Sequence, residues 1–331
     1  MFYPPRTGAS GRGAAGLLSC RQGSVQGIIM APSDYQKLID GPTWAFIRET
    51  ERWYPPDAVG LTIEGQREVY DRMCAAFRQP RPEGLMVEDR AMGGVPCRIY
   101  TPNGARQTMM YFHGGGFVVG GLDSHDDVCA EMAVATGFRV VSADYRLCPE
   151  HVHPAAFDDC LAATRATAAD YGGALILAGD SAGGTLAASV AHALRGELAL
   201  KGMLLIYPGL GGDRTTGSYQ THAEAPMLTL ADTEYYEKIR HGGTPPAADP
   251  TASALHDTDF SGLPPVVAFA AECDPLADDP FTYAAKVRAA GGEAEALLDD
   301  GLVHGWLRGR HSVPRARAAF DRILARLKAL A

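Results

Sequence analysis

Charged side chains are sparse and nowhere massed. They make up 21% of the 331 residues, with 30 Lys and Arg against 39 Asp and Glu, a formal net charge of −9. A mildly acidic chain without a basic run repels phosphate backbones, which excludes nucleic acid as a partner. Cysteine is present but unpatterned. The seven lie at positions 20, 74, 97, 129, 148, 160 and 273, an odd and dispersed set without a Cys-x-x-Cys pair. That excludes a disulfide framework and a zinc site, and reads as reduced, mostly buried thiols in a cytoplasmic protein. No apolar stretch approaches the ~20 residues that a membrane-spanning helix needs, so no membrane partner is expected. Leu17-Leu18-Ser19-Cys20 has the outline of a lipoprotein cleavage site. It lacks the apolar run before the cut, since Thr7 to Gly13 is glycine-rich and carries Arg12. Residues 1–30 read as a disordered leader, with the functional chain expected to begin near Met30.

What the chain does have is a 46% hydrophobic content, enough for one large core. From about residue 85 it alternates short apolar runs with helical stretches. Met109–Phe112, Val140–Ala143, Leu175–Ala178, Met203–Ile206 and Val266–Phe269 read as strands covered on both faces, and Ala294–Leu298 as the last strand. Helices are expected over 124–136, capped by Asp123 or Ser124, and over 154–169, 182–195 and the C-terminal segment. Residues 86–101 read as a hairpin turning at Gly93-Gly94. The fold class is therefore α/β, a mostly parallel, doubly wound sheet. Two regions break the alternation: residues 31–82, helical with Trp44, Phe46, Ile47, Trp53 and Tyr54, and residues 209–255, with a helical middle from Leu230 to Ile239. Ligands in such sheets sit beyond the carboxyl ends of the strands. Both regions are read as one cap over that edge, with 83–208 and 256–331 as the core. The cap's aromatic residues are read as filler.

Gly179-Asp180-Ser181-Ala182-Gly183 stands between the Leu175–Ala178 strand and a helix. A nucleophile on a sharp strand-to-helix turn needs that context and those small neighbours. His113-Gly114-Gly115-Gly116-Phe117 follows another strand, and its glycine amides, Gly114, Gly115 and Gly116, with that of Ala182, form an expected oxyanion hole. A serine hydroxyl needs a base and the base needs an orienting acid. In the order Ser, Asp, His these are Asp274, just after the Val266–Ala270 strand, and His304, followed by Gly305. Asp278 and Asp279 are read as helix caps or solvent-facing, Asp299 and Asp300 as weaker competitors, and His311 as exposed. The chemistry expected is acyl transfer through an acyl-enzyme to water, needing neither metal nor organic cofactor, on a small-molecule ester.

Together these motifs resemble the hormone-sensitive-lipase-like esterases, bacterial family IV of the α/β hydrolases. Asp144-Tyr145-Arg146-Leu147-Cys148-Pro149-Glu150-His151 and Pro154 to Asp159 reinforce the resemblance, which covers about residues 35–328. It implies an eight-stranded sheet, a helical cap built partly from the N-terminus, preference for short acyl chains, and a homodimer through the edge strand near 294–298 and the last helix. It also implies that Arg146, Glu150 and Asp158 form a buried polar network behind the serine turn. Trp306, where such enzymes carry Phe, is expected to narrow the pocket. Amide or aryl-formamide hydrolysis with the same triad is the alternative. A non-catalytic receptor on this fold would have lost the base that His304 supplies.

Overall fold

The computed structural model describes residues 29–331. The leader expected before them lies outside the described residues up to position 28, and Met30 donates its N–H to the Thr221 carbonyl at 2.9 Å. The order of elements is α1 (Pro32–Leu38), α2 (Gly41–Trp53), α3 (Ile63–Phe77), β1 (Leu85–Met92), β2 (Val95–Pro102), β3 (Thr108–Phe112), α4 (Asp126–Thr136), β4 (Arg139–Ala143), α5 (Ala155–Tyr171), β5 (Leu175–Asp180) and α6 (Ala182–Leu194). Then come β6 (Leu200–Ile206), α7 (Gly217–Thr221), α8 (Leu230–Arg240), β7 (Val266–Cys273), α9 (Asp278–Ala289), β8 (Ala294–Val303) and α10 (Pro314–Leu330). The eight strands form one sheet in the order β1-β2-β4-β3-β5-β6-β7-β8. Strand β2 is antiparallel to both β1 and β4, and all later pairings are parallel.

The apolar runs are continuous because both sheet faces are covered. Met110 and Phe112 of β3 and Leu175 and Leu177 of β5 join one core cluster with α5 and α6. Met109, Tyr111, Ile176 and Ala178 point the other way, into a second cluster with α4 and α10. That is the two-residue period of a strand read on both faces. In α10, Phe320, Ile323, Leu324 and Leu327 are buried at helical spacing.

Several local expectations differ. The N-cap of α4 is His125 rather than Asp123 or Ser124. Asp123 pairs with Arg98 at 2.7 Å, and the Ser124 hydroxyl donates to the Gly121 carbonyl at 2.8 Å. Strand β8 runs on through Asp299 and Asp300 to Val303. Asp299 is buried beneath Arg322 and is held up to about 6 by that burial. No buried Arg146–Glu150–Asp158 network forms. Arg146 grips Asp159 at 2.8 Å, Glu150 grips Arg67 of α3 at 2.7 Å, and Asp158 is exposed. Arg67 also donates to the Val118 and Cys148 carbonyls, so the tie runs from an N-terminal helix to the loop after β3.

The β5–α6 turn depends on backbone passing backbone. A methyl group at Gly183 would overlap the Phe112 carbonyl, and one at Gly179 would overlap the Gly183 backbone. Gly183→Ala is therefore expected to lower the urea-unfolding free energy by about 3 kcal/mol, since overpacking against backbone cannot be relieved by a rotamer change.

Candidate active site

Ser181 sits between β5 and α6 at φ 53°, ψ −122°, a conformation that side-chain-bearing residues rarely adopt. Its N–H is held by the Ile206 carbonyl at 2.9 Å, which fixes the turn against the end of β6. The switch point of the sheet is here, with β4 on one side of β3 and β5 on the other. The Ser181 hydroxyl meets His304 Nε2 at 2.8 Å, and His304 Nδ1 meets Asp274 Oδ2 at 2.7 Å. Asp274 is fully buried, and its other oxygen accepts the Leu276 N–H at 2.9 Å. The His304 ring packs on Tyr207, centroids 4.8 Å apart. Three residues from the ends of β5, β7 and β8 thus converge, as the sequence order Ser, Asp, His requires.

The glycine loop divides its duties. The N–H groups of Gly115, Gly116 and Ala182 engage no protein acceptor among the described residues. Gly114 is a correction: its N–H donates to Asp180 Oδ1 at 3.0 Å, so it cannot serve an oxyanion. A side chain there would run into the same carboxylate. Asp180 also accepts from the Tyr111 hydroxyl at 2.7 Å and meets His125 Nε2 at 3.3 Å. Burial opposes its ionisation, but His125, Tyr111 and Arg308 outweigh that and hold the carboxyl well below the ordinary range. The nucleophile-turn pattern sets no residue type between Gly179 and Ser181, and the partners that give Asp180 this role lie 55 and 69 residues away in sequence.

His113 does not reach the serine. Its ring stacks on Tyr145 at 4.2 Å, and its Nδ1 lies 2.8 Å from the Gly114 carbonyl. Burial first, then the neighbouring His125, pushes its pKa down to about 3. Two other expectations are corrected. Asp279 neither faces solvent nor caps α9 with its side chain. It is buried, and its Oδ2 accepts the N–H groups of Leu210, Gly211 and Gly212 and the Tyr219 hydroxyl. Trp306 does not narrow the pocket. It is buried in the core behind Tyr207, ring centroids 5.9 Å apart.

Two cavities meet at Ser181. One, about 310 Å³, is lined by His304, Tyr207, Arg308 and Tyr54. The other, about 450 Å³, runs under the insertion past Ala182, Arg214 and Pro246. Leu228 and Tyr236 line both, and a methyl group on Gly116 would strike the Tyr236 ring. Tyr54, read from sequence as filler, lines the first cavity and shares a hydrogen bond with Tyr236 at 3.1 Å. Gln66 of α3 donates to Tyr235 of α8 at 2.6 Å. Tyr236 and Arg308 reach the site from segments whose sequence carries no motif. Among the described residues, no group of three His, Cys, Asp or Glu side chains could hold a metal ion, and no helix is long and apolar enough to cross a membrane.

A family model described as an alpha/beta hydrolase fold matches residues 109–308. Esterase LipI of Mycobacterium tuberculosis (strain ATCC 25618 / H37Rv) is 38% identical over 299 residues, covering 82% of this chain and 92% of that protein. Carboxylesterase NlhH of Mycobacterium tuberculosis (strain CDC 1551 / Oshkosh) is 39% identical over 266 residues, covering 74% and 82%. The solved Pyrobaculum calidifontis esterase (monoclinic form) superposes with TM-score 0.79 at 30% identity, covering 88% of this chain and 99% of that one.

The low pKa of His113 has a thermodynamic signature. Its folded value, about 3, lies below the ordinary imidazole value of about 6.5, so its contribution is complete above pH 6.5 and is lost as pH falls towards 3. Relative to His113→Gln, the wild type is expected to lose up to about 1.4 kcal/mol of unfolding free energy per pH unit below 6.5. Urea titrations of both proteins at pH 7, 6 and 5 measure it.

Proposed function

This chain belongs to the α/β-hydrolase family as a hormone-sensitive-lipase-like carboxylesterase, and on that footing we propose that it cleaves short- to medium-chain acyl esters with Ser181 as nucleophile, His304 as base and Asp274 as orienting acid. The observation that carries the reading is the hydrogen-bonded chain from Ser181 through His304 to Asp274, at 2.8 and 2.7 Å. Asp274, a buried acceptor, keeps the proton on Nδ1 and leaves the Nε2 lone pair facing the serine. His304 takes the hydroxyl proton as Ser181 Oγ attacks the ester carbonyl. The developing oxyanion falls to the amides of Gly115, Gly116 and Ala182, with the N-terminus of α6 adding positive potential. The imidazolium then protonates the departing alkoxide, and water, activated by the same ring, releases the acyl group.

The size of the two cavities favours small and medium acyl and alcohol groups. The cysteines at 74, 97, 129, 148, 160 and 273 are all free and buried, which favours a reducing, cytoplasmic setting. The unpaired edge of β8, where Leu298 is 42% exposed, is the surface proposed for a homodimer.

A p-nitrophenyl ester series from acetyl to palmitoyl tests the activity. Turnover is expected on the short and medium esters, falling by about 10⁴-fold or more in Ser181→Ala and by about 10⁴-fold in Asp274→Asn, which strands the wrong tautomer. Activity unchanged by Ser181→Ala would overturn the assignment. Light scattering on the eluted protein is expected to give twice the 35.1 kDa chain mass, and Leu298→Lys to give the monomer.

A further inference from the structure

The two cavities at Ser181 are chemically unequal, and His304 tells which half of an ester each receives. The ring that protonates the leaving alkoxide must stand on the alcohol side. His304 lines the smaller cavity and not the larger, whereas Ser181 and Gly116 line both. The larger cavity, beneath the insertion, is therefore the acyl side.

One side-chain cation of the arginine or lysine type lines that acyl cavity, Arg214. It is partly buried, and among the described residues its guanidinium has no ion-pair or hydrogen-bond partner. The two carboxylates lining the same cavity are engaged elsewhere. Asp213 accepts from the Thr215 N–H at 2.9 Å and from its hydroxyl at 2.6 Å. Glu237 faces Arg240 at 3.7 Å and His241 at 3.6 Å. The Arg214 backbone, by contrast, is fixed. Its carbonyl accepts from Gln220 Nε2 at 2.7 Å, and the preceding loop is pinned at Leu210, Gly211 and Gly212 by buried Asp279. An unpartnered arginine on a held backbone, lining the same cavity as Ser181, suits a planar carboxylate.

We propose that Arg214 selects acyl groups bearing a distal carboxylate, so that half-esters of dicarboxylic acids are a preferred substrate class. The proposal rests on the esterase reading above. In it the carboxylate docks on Arg214 while the ester carbonyl lies at Ser181. Hydrolysis yields the alcohol and the dicarboxylate, and water is the only co-reactant.

The test compares monoethyl succinate, glutarate, adipate and pimelate with ethyl butyrate, pentanoate, hexanoate and heptanoate, following ethanol release by wild type, Arg214→Gln and Arg214→Lys. The expected result is a ratio of kcat/KM, half-ester over neutral ester, that peaks at one chain length, the reach from Ser181 to Arg214. At that length the ratio falls at least 10-fold in Arg214→Gln, through KM, and is partly restored in Arg214→Lys. The ratio is also expected to fall as salt is raised. A ratio that is flat with chain length, or untouched by Arg214→Gln, overturns the proposal while leaving the esterase intact. Wild-type protein inactive on neutral esters and half-esters alike overturns the esterase reading, and this one with it.

Discussion

The buried carboxylate of Asp180 is the interaction on which the site depends. It ends β5 one residue before the nucleophile, and it reaches across to the end of β3 and the N-terminus of α4. By accepting from Tyr111 and from the Gly114 N–H it fixes where the glycine loop leaves its strand. The next two amides are then aimed by that anchor. His125 faces the same carboxylate from the third side. Such a charge is costly to bury alone and becomes tolerable when donors surround it. The donors here come from the end of β3 with its following loop and from the N-terminus of α4, so satisfying one charge aligns both with the end of β5.

Around that hub, the approach of backbones does the remaining positioning. Gly179 and Gly183 let the turn pass under the Phe112 carbonyl, which permits the φ of 53° at Ser181. His113 contributes from behind, stacked on Tyr145 and bonded to its neighbouring carbonyl. The loop is thus rigid before any substrate arrives, which is what electrostatic stabilisation of an oxyanion requires.

Much of this was legible in the chain. The five strands at Met109–Phe112, Val140–Ala143, Leu175–Ala178, Met203–Ile206 and Val266–Phe269 announce themselves as continuous apolar runs because both faces are covered, whereas the edge strand β8 carries Glu295, Asp299 and Asp300. Ser181 and Asp274 each follow such a run and His304 follows the last strand, so their position at one edge of the sheet could be read from chain order and from Gly305 beside His304. What could not be read depends on partners far away in sequence. The requirement for small residues around the turn sets nothing at Asp180, whose value comes from Tyr111 and His125. Gly114 was counted with its two neighbours because three consecutive glycines look alike until one finds an acceptor. The resemblance implies a network of Arg146, Glu150 and Asp158, but Glu150 is taken by Arg67, on a helix whose docking no local pattern specifies. Asp279 looked like a helix cap, and the loop it holds lies 67 to 69 residues upstream.

The cavity walls join residues that leave the ribosome far apart. Tyr54 meets Tyr236 across 182 positions, and Ser181 meets His304 across 123. A nascent chain can complete most of its sheet while it still has no base and no finished wall. The partner of Ser181 is thus the last of the triad to be made, since His304 stands just beyond β8, the final strand of the sheet.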